Sequence, residues 1–202
     1  MSNPDPIALH NPDIERKAAL RAAALARRDT LSPAERAEGA LAAAAHPLPI
    51  GVKPGQVVSG FSAIRTEINP LPLMRRFAEQ GAVLALPAIA GRGRPLDMRV
   101  WDTDTPLVRG QWGIREPHPS ARVVVPDIFI VPLATFDRRG HRIGYGAGYY
   151  DMTIAAARAQ KNSIAIGLAF AIQESEDVPR LAHDQPLDFV LTEREVIVCR
   201  RD

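Results

Sequence analysis

Three glycines alternate with other residues in a short segment that could hold phosphate groups. Gly144, Gly146 and Gly148 stand two residues apart, and a helix is predicted to begin directly after them. Glycine has no Cβ atom, so its backbone can adopt positive φ values and bring N–H groups close to phosphate oxygens. The partial positive charge of a helix N-terminus adds to this attraction. The spacing therefore indicates a site for the phosphates of a nucleotide such as ATP.

Two charged side chains flank this glycine loop, and both have types that suit a magnesium–nucleotide complex. Arg142 could clamp phosphate oxygens with its fork of N–H donors, and Asp151 could hold a Mg²⁺ ion that bridges them. The loop does not match the Walker A pattern, because no Gly-Lys-Ser/Thr sequence ends it. A glycine-rich turn packed under two tyrosines, with Asp151 as a helix cap, is the structural alternative.

An Ala-rich helical pair precedes the segments that must position this loop. The first helix is predicted over residues 13–26, with Asp13 as its N-cap and apolar residues at helical spacing. The second is predicted from Ser32 to Ala45, because Ser32, Pro33 and Glu35 form the pattern of a capping box with proline at the first helical position.

Strand-like and helical segments alternate over the rest of the chain. Strands are predicted at residues 57–61, 83–87, 98–101, 128–131, 163–170, 189–192 and 196–199, and helices at 70–80 and 148–160. Such alternation favours a mostly parallel sheet with helices on both faces, so we predict a three-layer αβα domain. Ligands of such sheets bind outside the carboxyl ends of the strands.

Composition places the chain among globular proteins and excludes several functional classes. It has 202 residues, of which 46% are hydrophobic and 24% charged, with a net charge of +2. This near balance argues against a broad nucleic-acid-binding surface.

The single cysteine, Cys199, excludes an intrachain disulfide framework and a cysteine-based zinc site. No apolar run reaches the length of a membrane span, so we expect a soluble protein. The single cysteine favours the cytoplasm. We also expect a monomer that binds small-molecule substrates and has no nucleic-acid or membrane partner. Residues 1–12 are predicted to be a flexible lead-in and residues 13–202 a single domain.

The loop also carries a resemblance to a known family. Residues 142–151 read Arg-Ile-Gly-Tyr-Gly-Ala-Gly-Tyr-Tyr-Asp, which resembles the signature Arg-Leu-Gly-Tyr-Gly-Gly-Gly-Tyr-Tyr-Asp of the 5-formyltetrahydrofolate cyclo-ligases. Ala147 departs from it by placing a methyl group where the family has hydrogen. The likeness extends along nearly the whole chain, at residues 17–21, 62–67, 113–117, 167–170, 173, 178–179 and 183–184.

This resemblance implies a fold of the phosphosugar-isomerase and CoA-transferase type and an ATP-dependent, Mg²⁺-dependent ligase of one-carbon metabolism. The implied reaction closes 5-formyltetrahydrofolate to 5,10-methenyltetrahydrofolate and releases ADP and phosphate. Asp151 and Asp184 are then the implied magnesium ligands, and Lys17 and Arg142 are catalytic through their positive charge. The implied folate site contains Ser62, Glu67 and Tyr149. The implied ATP site contains Lys17, Arg21, Arg142, Ile143, Gly144, Tyr145, Gly146, Ala147, Gly148, Tyr149 and Tyr150.

From the residues alone, simpler roles remain open for several of these side chains. Lys17 and Arg21 could form the solvated face of an amphipathic helix, and Glu67 could cap a helix or form a salt bridge. Asp184 could lie in a turn beside Pro186, and His183 is expected to be exposed rather than catalytic. Phe61 and Trp112 could belong to the core or could stack on a pteridine ring. A solvated surface or a basic patch remains open for three further residues, Arg115, His118 and Arg122.

Two other functional classes also remain open at this level. A folate- or nucleotide-binding protein without turnover could keep the phosphate cradle and lack the chemistry. An isomerase or CoA-transferase-like enzyme could share the fold, and the latter would not require ATP, so the fold alone does not separate them.

Overall fold

The computed structural model describes residues 12–110 and 113–200 of the chain. The predicted lead-in lies outside this part except for Pro12, and so does Trp112. The helices are α1 (Pro12–Asp29), α2 (Pro33–Ala45), α3 (Leu71–Glu79) and α4 (Tyr149–Arg158). The strands are β1 (Val57–Ser59), β2 (Val83–Ala88), β3 (Asp97–Val100), β4 (Val108–Arg109), β5 (Arg115–Glu116), β6 (Ile128–Pro132), β7 (Thr135–Phe136), β8 (Arg142–Ile143), β9 (Ile164–Leu168), β10 (Phe189–Leu191) and β11 (Val196–Val198).

Seven of these strands form one sheet, in the order β11-β10-β9-β6-β1-β2-β3. The inner strands β10, β9, β6, β1 and β2 run parallel, whereas β3 and β11 pair antiparallel at the two edges. All seven correspond to strands predicted from the sequence, and the mostly parallel sheet is confirmed. The pairs β4–β5 and β7–β8 form separate two-stranded sheets that the sequence did not predict.

Helices cover both faces of the sheet, as the three-layer prediction requires. Successive side chains of a strand point to opposite faces, and β6 shows this clearly. Ile130 packs in one core cluster with Ala43 of α2 and Phe77 of α3. Its neighbour Phe129 packs in a second cluster with residues of α4, including Ile154. The sheet is therefore buried on both sides, which explains its nearly continuous apolar strands.

The N-terminal ends of α1 and α2 can be compared with the N-caps predicted from the sequence. Ser32 caps α2: its side chain accepts a hydrogen bond from the Glu35 amide at 3.2 Å, and the Glu35 carboxylate accepts one from the Ser32 amide at 2.7 Å. The prediction of Asp13 as the cap of α1 is wrong, because α1 already includes Pro12 and Asp13 lies in its first turn. Proline fits there because the first helical amides have no partner inside the helix.

Helix α1 is tied to segments far away in the chain. Arg27 donates to the Ile172 carbonyl at 2.9 Å, and Arg16 pairs with Asp177 at 2.6 Å. These contacts place the face of α1 that carries Lys17 and Arg21 against the glycine loop. Within the described ranges, no helix is both long and apolar enough to cross a bilayer.

Candidate active site

A cavity of about 620 Å³ lies at the carboxyl ends of three neighbouring strands of the sheet. Phe61, Pro87 and Pro132 mark this edge, because they lie at or just beyond the ends of β1, β2 and β6. This is where ligands bind in parallel αβ sheets. Every site residue predicted from the sequence lines this cavity: Lys17, Arg21, Ser62, Glu67, Arg142, Ile143, Gly144, Tyr145, Gly146, Ala147, Gly148, Tyr149, Tyr150, Asp151 and Asp184.

The glycine loop has the backbone conformation of an anion cradle at two of its three glycines. Gly146 has φ of 99° and Gly148 has φ of 67°, and Gly148 immediately precedes α4. Gly144 has no positive φ, so the expectation of positive φ does not hold there. Ala147 also lies outside the positive-φ region, which explains why its methyl group is tolerated.

Cations from α1 and β8 surround this loop. Arg21 donates from Nε to the Gly144 carbonyl at 2.7 Å and so fixes the loop against α1. Lys17 forms an ion pair with Asp184, whose Oδ2 also accepts a hydrogen bond from the Leu181 amide at 2.8 Å. Lys17 and Arg21 therefore do not form a solvated helix face; they belong to the cavity.

Arg142 is nearly fully buried and links the loop to the segment near Gln185. It donates to Asp151 Oδ1 at 2.7 Å and also to the Gln185 carbonyl. The same Asp151 oxygen accepts the Gln185 amide at 3.0 Å, so Asp151 does not serve as a helix cap. Burial lowers the pKa of the Arg142 guanidinium, and the carboxylates of Asp151 and Asp184 oppose this shift.

The cavity wall also contains the buried Glu67. Its Oε2 accepts a hydrogen bond from the Ile64 amide at 2.9 Å, which closes the turn after β1. Burial raises the pKa of Glu67, and this effect exceeds the opposing influence of the Ile64 amide, Tyr145 and Arg28. A carboxyl group with a raised pKa in a cavity is a common feature of functional sites.

Tyr145 and Tyr150 of the glycine loop also line the cavity. Burial, together with the nearby Glu67, raises the pKa of Tyr145 to about 12, so its phenol is protonated at neutral pH. The hydroxyl of Tyr150 is buried and has no hydrogen-bond partner among the residues that the structure describes, and burial raises its pKa as well. The Ser62 hydroxyl is already engaged, since it donates to the Arg115 carbonyl at 2.7 Å.

Several other residues of the site had no assigned role in the sequence. Glu116 lines the cavity and is buried, and Arg28 is 1% exposed behind Glu67, where its Nε donates to Thr66 Oγ1 at 3.1 Å. Their burial results from tertiary packing, for which the local sequence has no signal. Phe61 is both buried and part of the cavity wall, whereas His183 is exposed at its rim. Arg115, His118 and Arg122 are exposed, as expected for solvated surface.

Metal-ligating side chains are not concentrated in the site. Among residues 12–110 and 113–200, no group of three or more His, Cys, Asp or Glu side chains could hold a metal ion. Asp151 and Asp184 each have one carboxylate oxygen engaged by a cation. A metal ion would therefore require further ligands from a bound substrate.

Comparisons of the sequence and of the structure with known proteins all point to the same protein family. The sequence profile described as the 5-formyltetrahydrofolate cyclo-ligase family matches residues 13–193. The 5-formyltetrahydrofolate cyclo-ligase of Mycolicibacterium smegmatis is 32% identical over 73% of this chain and 78% of that protein. The Haemophilus influenzae protein of the same name is 39% identical, but this match spans 44% of this chain and 49% of that protein. The solved structure of Aquifex aeolicus 5,10-methenyltetrahydrofolate synthetase is similar with a TM-score of 0.73 and 29% identity, covering 92% of this chain and 94% of that one.

Proposed function

This chain belongs to the 5-formyltetrahydrofolate cyclo-ligase family, and from that premise we propose that it uses ATP to close 5-formyltetrahydrofolate to 5,10-methenyltetrahydrofolate. The observation that carries this proposal is the composition of the cavity. Its wall combines the glycine loop and the cations Lys17, Arg21 and Arg142 with apolar side chains and the buried Glu67. We propose that a triphosphate and a flat, partly polar ring system bind in it side by side.

The reaction needs an activated formyl group, because a formamide oxygen is a poor leaving group and amide resonance suppresses attack at its carbon. The formyl oxygen attacks the γ-phosphorus of ATP, and ADP leaves with the electrons of the bond that breaks. The resulting iminium phosphate has an electrophilic carbon, to which N10 of the folate adds. Loss of the N10 proton and expulsion of phosphate then leave the methenyl bridge. None of these steps requires a nucleophile from the protein.

The proposed role of the protein is to align two substrates and to neutralise charge on the transferring phosphoryl group. Lys17 and Arg142 lie at the loop that would hold the phosphates, and Arg21 already braces that loop at Gly144. We propose that Lys17 exchanges its contact with Asp184 for a phosphate oxygen when the nucleotide binds.

The carboxylates near the loop fit a magnesium ion that arrives with the nucleotide. Oδ2 of Asp151 makes no hydrogen bond within the described residues, and Oδ1 of Asp184 has only the exposed His183 nearby at 3.7 Å. Mg²⁺ is bound in such sites by one or two carboxylates together with substrate phosphates and water. When bound, the ion would supply positive charge that offsets the negative charge of the phosphates.

We also propose that residues 13–202 act as one domain and as a cytoplasmic monomer, without nucleic-acid or membrane partners. The chain supports a single domain, because one seven-stranded sheet joins both core clusters. Its net charge of +2 and single cysteine are consistent with a small-molecule enzyme of a reducing compartment.

A direct assay tests the reaction. Protein mixed with 5-formyltetrahydrofolate and Mg²⁺-ATP is expected to generate methenyltetrahydrofolate, measured by its absorbance near the ultraviolet edge of the visible range. Without ATP the signal should be absent. Binding of both ligands without this signal would instead support a binding protein, and turnover that is independent of ATP would contradict the proposal.

Substitution of Arg142 tests the charged part of the site. Arg142→Ala is expected to raise the KM for ATP and to lower kcat by about 10²- to 10³-fold, the usual effect of removing one electrostatic contact to a transition state. Arg27→Ala is a matched control, because Arg27 is another partly buried arginine that donates to backbone carbonyls, at Ile172 and Glu174, but it does not line the cavity. Unchanged kinetics in Arg142→Ala would contradict its catalytic role.

A further inference from the structure

Glu116 is a second buried carboxylate in the cavity wall, and the site as proposed so far gives it no role. It ends the short strand β5 and is 8% exposed. It lines the cavity together with the aliphatic side chains of Ile89, Leu96 and Ile114. A charged group at such a place requires a compensating partner, because burying a charge without one is costly.

The Glu116 side chain is fixed by its surroundings rather than free to reach water. Its Oε1 accepts a hydrogen bond from the Ile89 amide at 3.2 Å. On its other side it packs against the backbone of Gly110, where an added Cβ would lie 2.1 Å from Cδ and 2.3 Å from Oε2. A Cβ atom at position 110 would displace this carboxylate, so glycine at that position allows it to lie where it does.

No cation neutralises Glu116 within residues 12–110 and 113–200. The carboxylates Asp151 and Asp184 pair with Arg142 and Lys17 in the same cavity. The Glu116 carboxylate accepts one hydrogen bond in these ranges, from the neutral Ile89 amide to Oε1. None of the described residues donates to its Oε2, so a ligand with N–H groups can supply a donor there.

The geometry of a carboxylate favours a ligand edge with two parallel N–H donors. The 2-amino group and the N3–H of a reduced pteridine form such an edge. Adenine does not, because its exocyclic amine stands beside a ring nitrogen that accepts hydrogen bonds and repels a carboxylate. The walls formed by Phe61, Ile89, Leu96 and Ile114 suit the faces of a flat ring.

We propose that Glu116 binds the 2-amino and N3–H edge of the pteridine ring and thereby selects folate over nucleotide in this half of the cavity. This inference rests on the proposed function and adds a residue that determines specificity. Glu67 then remains available for other polar atoms of the same substrate.

Binding measurements in the absence of turnover test the inference. Glu116→Gln keeps the shape of the side chain and removes its charge. By calorimetric titration it is expected to bind 5-formyltetrahydrofolate about 10- to 100-fold more weakly, the usual range for a hydrogen bond to a charged group. The affinity for a non-hydrolysable ATP analogue with Mg²⁺ should stay within about twofold, because adenine and phosphates do not contact Glu116.

A ligand analogue provides a readout that does not depend on how the variant folds. The 2-desamino-2-methyl analogue of 5-formyltetrahydrofolate lacks one of the two donors, so unmodified protein should bind it at least about 10-fold more weakly than the parent compound. In Glu116→Gln the difference between the two ligands should shrink to within about threefold, since the residue and the donor act together.

Glu193→Gln is the matched control. Glu193 is also a partly buried glutamate that accepts one backbone amide, from Ala171 at 2.8 Å, but it does not line the cavity. The affinity of Glu193→Gln for both ligands should be unchanged.

Two results would overturn the inference. One is that Glu116→Gln binds 5-formyltetrahydrofolate as tightly as the wild type does, and the other is that it loses equal affinity for the ATP analogue. If wild-type protein binds folate but shows no ATP-dependent turnover, the proposed function fails while the binding comparison still decides the role of Glu116.

Discussion

Glu67 carries a carboxyl group that is more difficult to ionise in the folded protein than in the unfolded chain. Burial is the main cause of its raised pKa. The folded state therefore binds a proton more tightly than the unfolded state. By linkage, the free energy of unfolding falls as the pH rises from the ordinary value of 4.5 through the raised pKa. Burial of this carboxyl group therefore costs stability once the pH exceeds the ordinary pKa.

Glu67→Gln tests this relation between stability and binding. The amide can still accept the hydrogen bond from Ile64, but it cannot titrate. The unfolding free energy of the variant, relative to that of wild type, is expected to increase as the pH rises above 4.5, as measured by urea denaturation at several pH values. Affinity for 5-formyltetrahydrofolate should fall by about 10-fold, because the proposed folate site loses a carboxyl group that can hydrogen-bond the substrate. An unchanged pH dependence would show that Glu67 does not titrate as inferred.

Some site residues could be predicted from the sequence and others could not. The difference is whether neighbouring or distant residues form their surroundings. Arg142 and the glycines lie in one continuous segment, so a local pattern was sufficient to predict a phosphate site. Glu116 and Arg28 acquire their environment from contacts with distant segments, at Ile89 and at Thr66 respectively. No pattern in the neighbouring residues indicates such burial.

At the scale of secondary structure, the glycine loop depends on two residues with left-handed backbone conformations. Gly146→Ala is expected to lower the free energy of unfolding by about 1 to 2 kcal/mol, because a Cβ atom is strained at positive φ. Gly144→Ala is the matched comparison: φ is not positive at Gly144, and an added Cβ would have no atom within 4 Å. Its stability should stay within about 0.5 kcal/mol of wild type. Equal losses in thermal or urea unfolding would contradict the assigned loop conformation.

The strands of the main sheet were predictable, whereas the short pairs were not. Central strands such as β6 and β9 consist of continuous apolar residues rich in isoleucine and are covered on both faces. The pairs β4–β5 and β7–β8 have two residues per strand, which is too short for a periodic pattern to develop. Their pairing follows from turns and from contacts with the sheet. The start of α1 was missed by one residue, which is usual for helix ends.

At the scale of the whole molecule, ligand binding should stabilise the fold. Saturation with Mg²⁺-ATP at about 100 times its Kd adds about 2.7 kcal/mol to the free energy of unfolding, which for a domain of this size raises Tm by roughly 5 to 10 °C. Excess EDTA should remove at least about half of this shift, because the phosphates then face Asp151 and Asp184 without Mg²⁺. The measurement is differential scanning fluorimetry.

AMP is the control for that experiment, since it has the adenine ring but lacks the β- and γ-phosphates. Its effect on Tm should be small with or without EDTA. A shift with ATP that is the same in EDTA would argue against a magnesium ion beside these carboxylates.

The contact between Lys17 and Asp184 joins positions 167 residues apart, and this has a consequence for biosynthesis. At about 5 to 20 residues per second, a ribosome makes Asp184 roughly 8 to 30 seconds after Lys17. During that interval Lys17 has no Asp184 to pair with, and α1 lacks the later segments that it contacts, β7 and residues 171–173. The first helix can therefore reach its native position only late in synthesis.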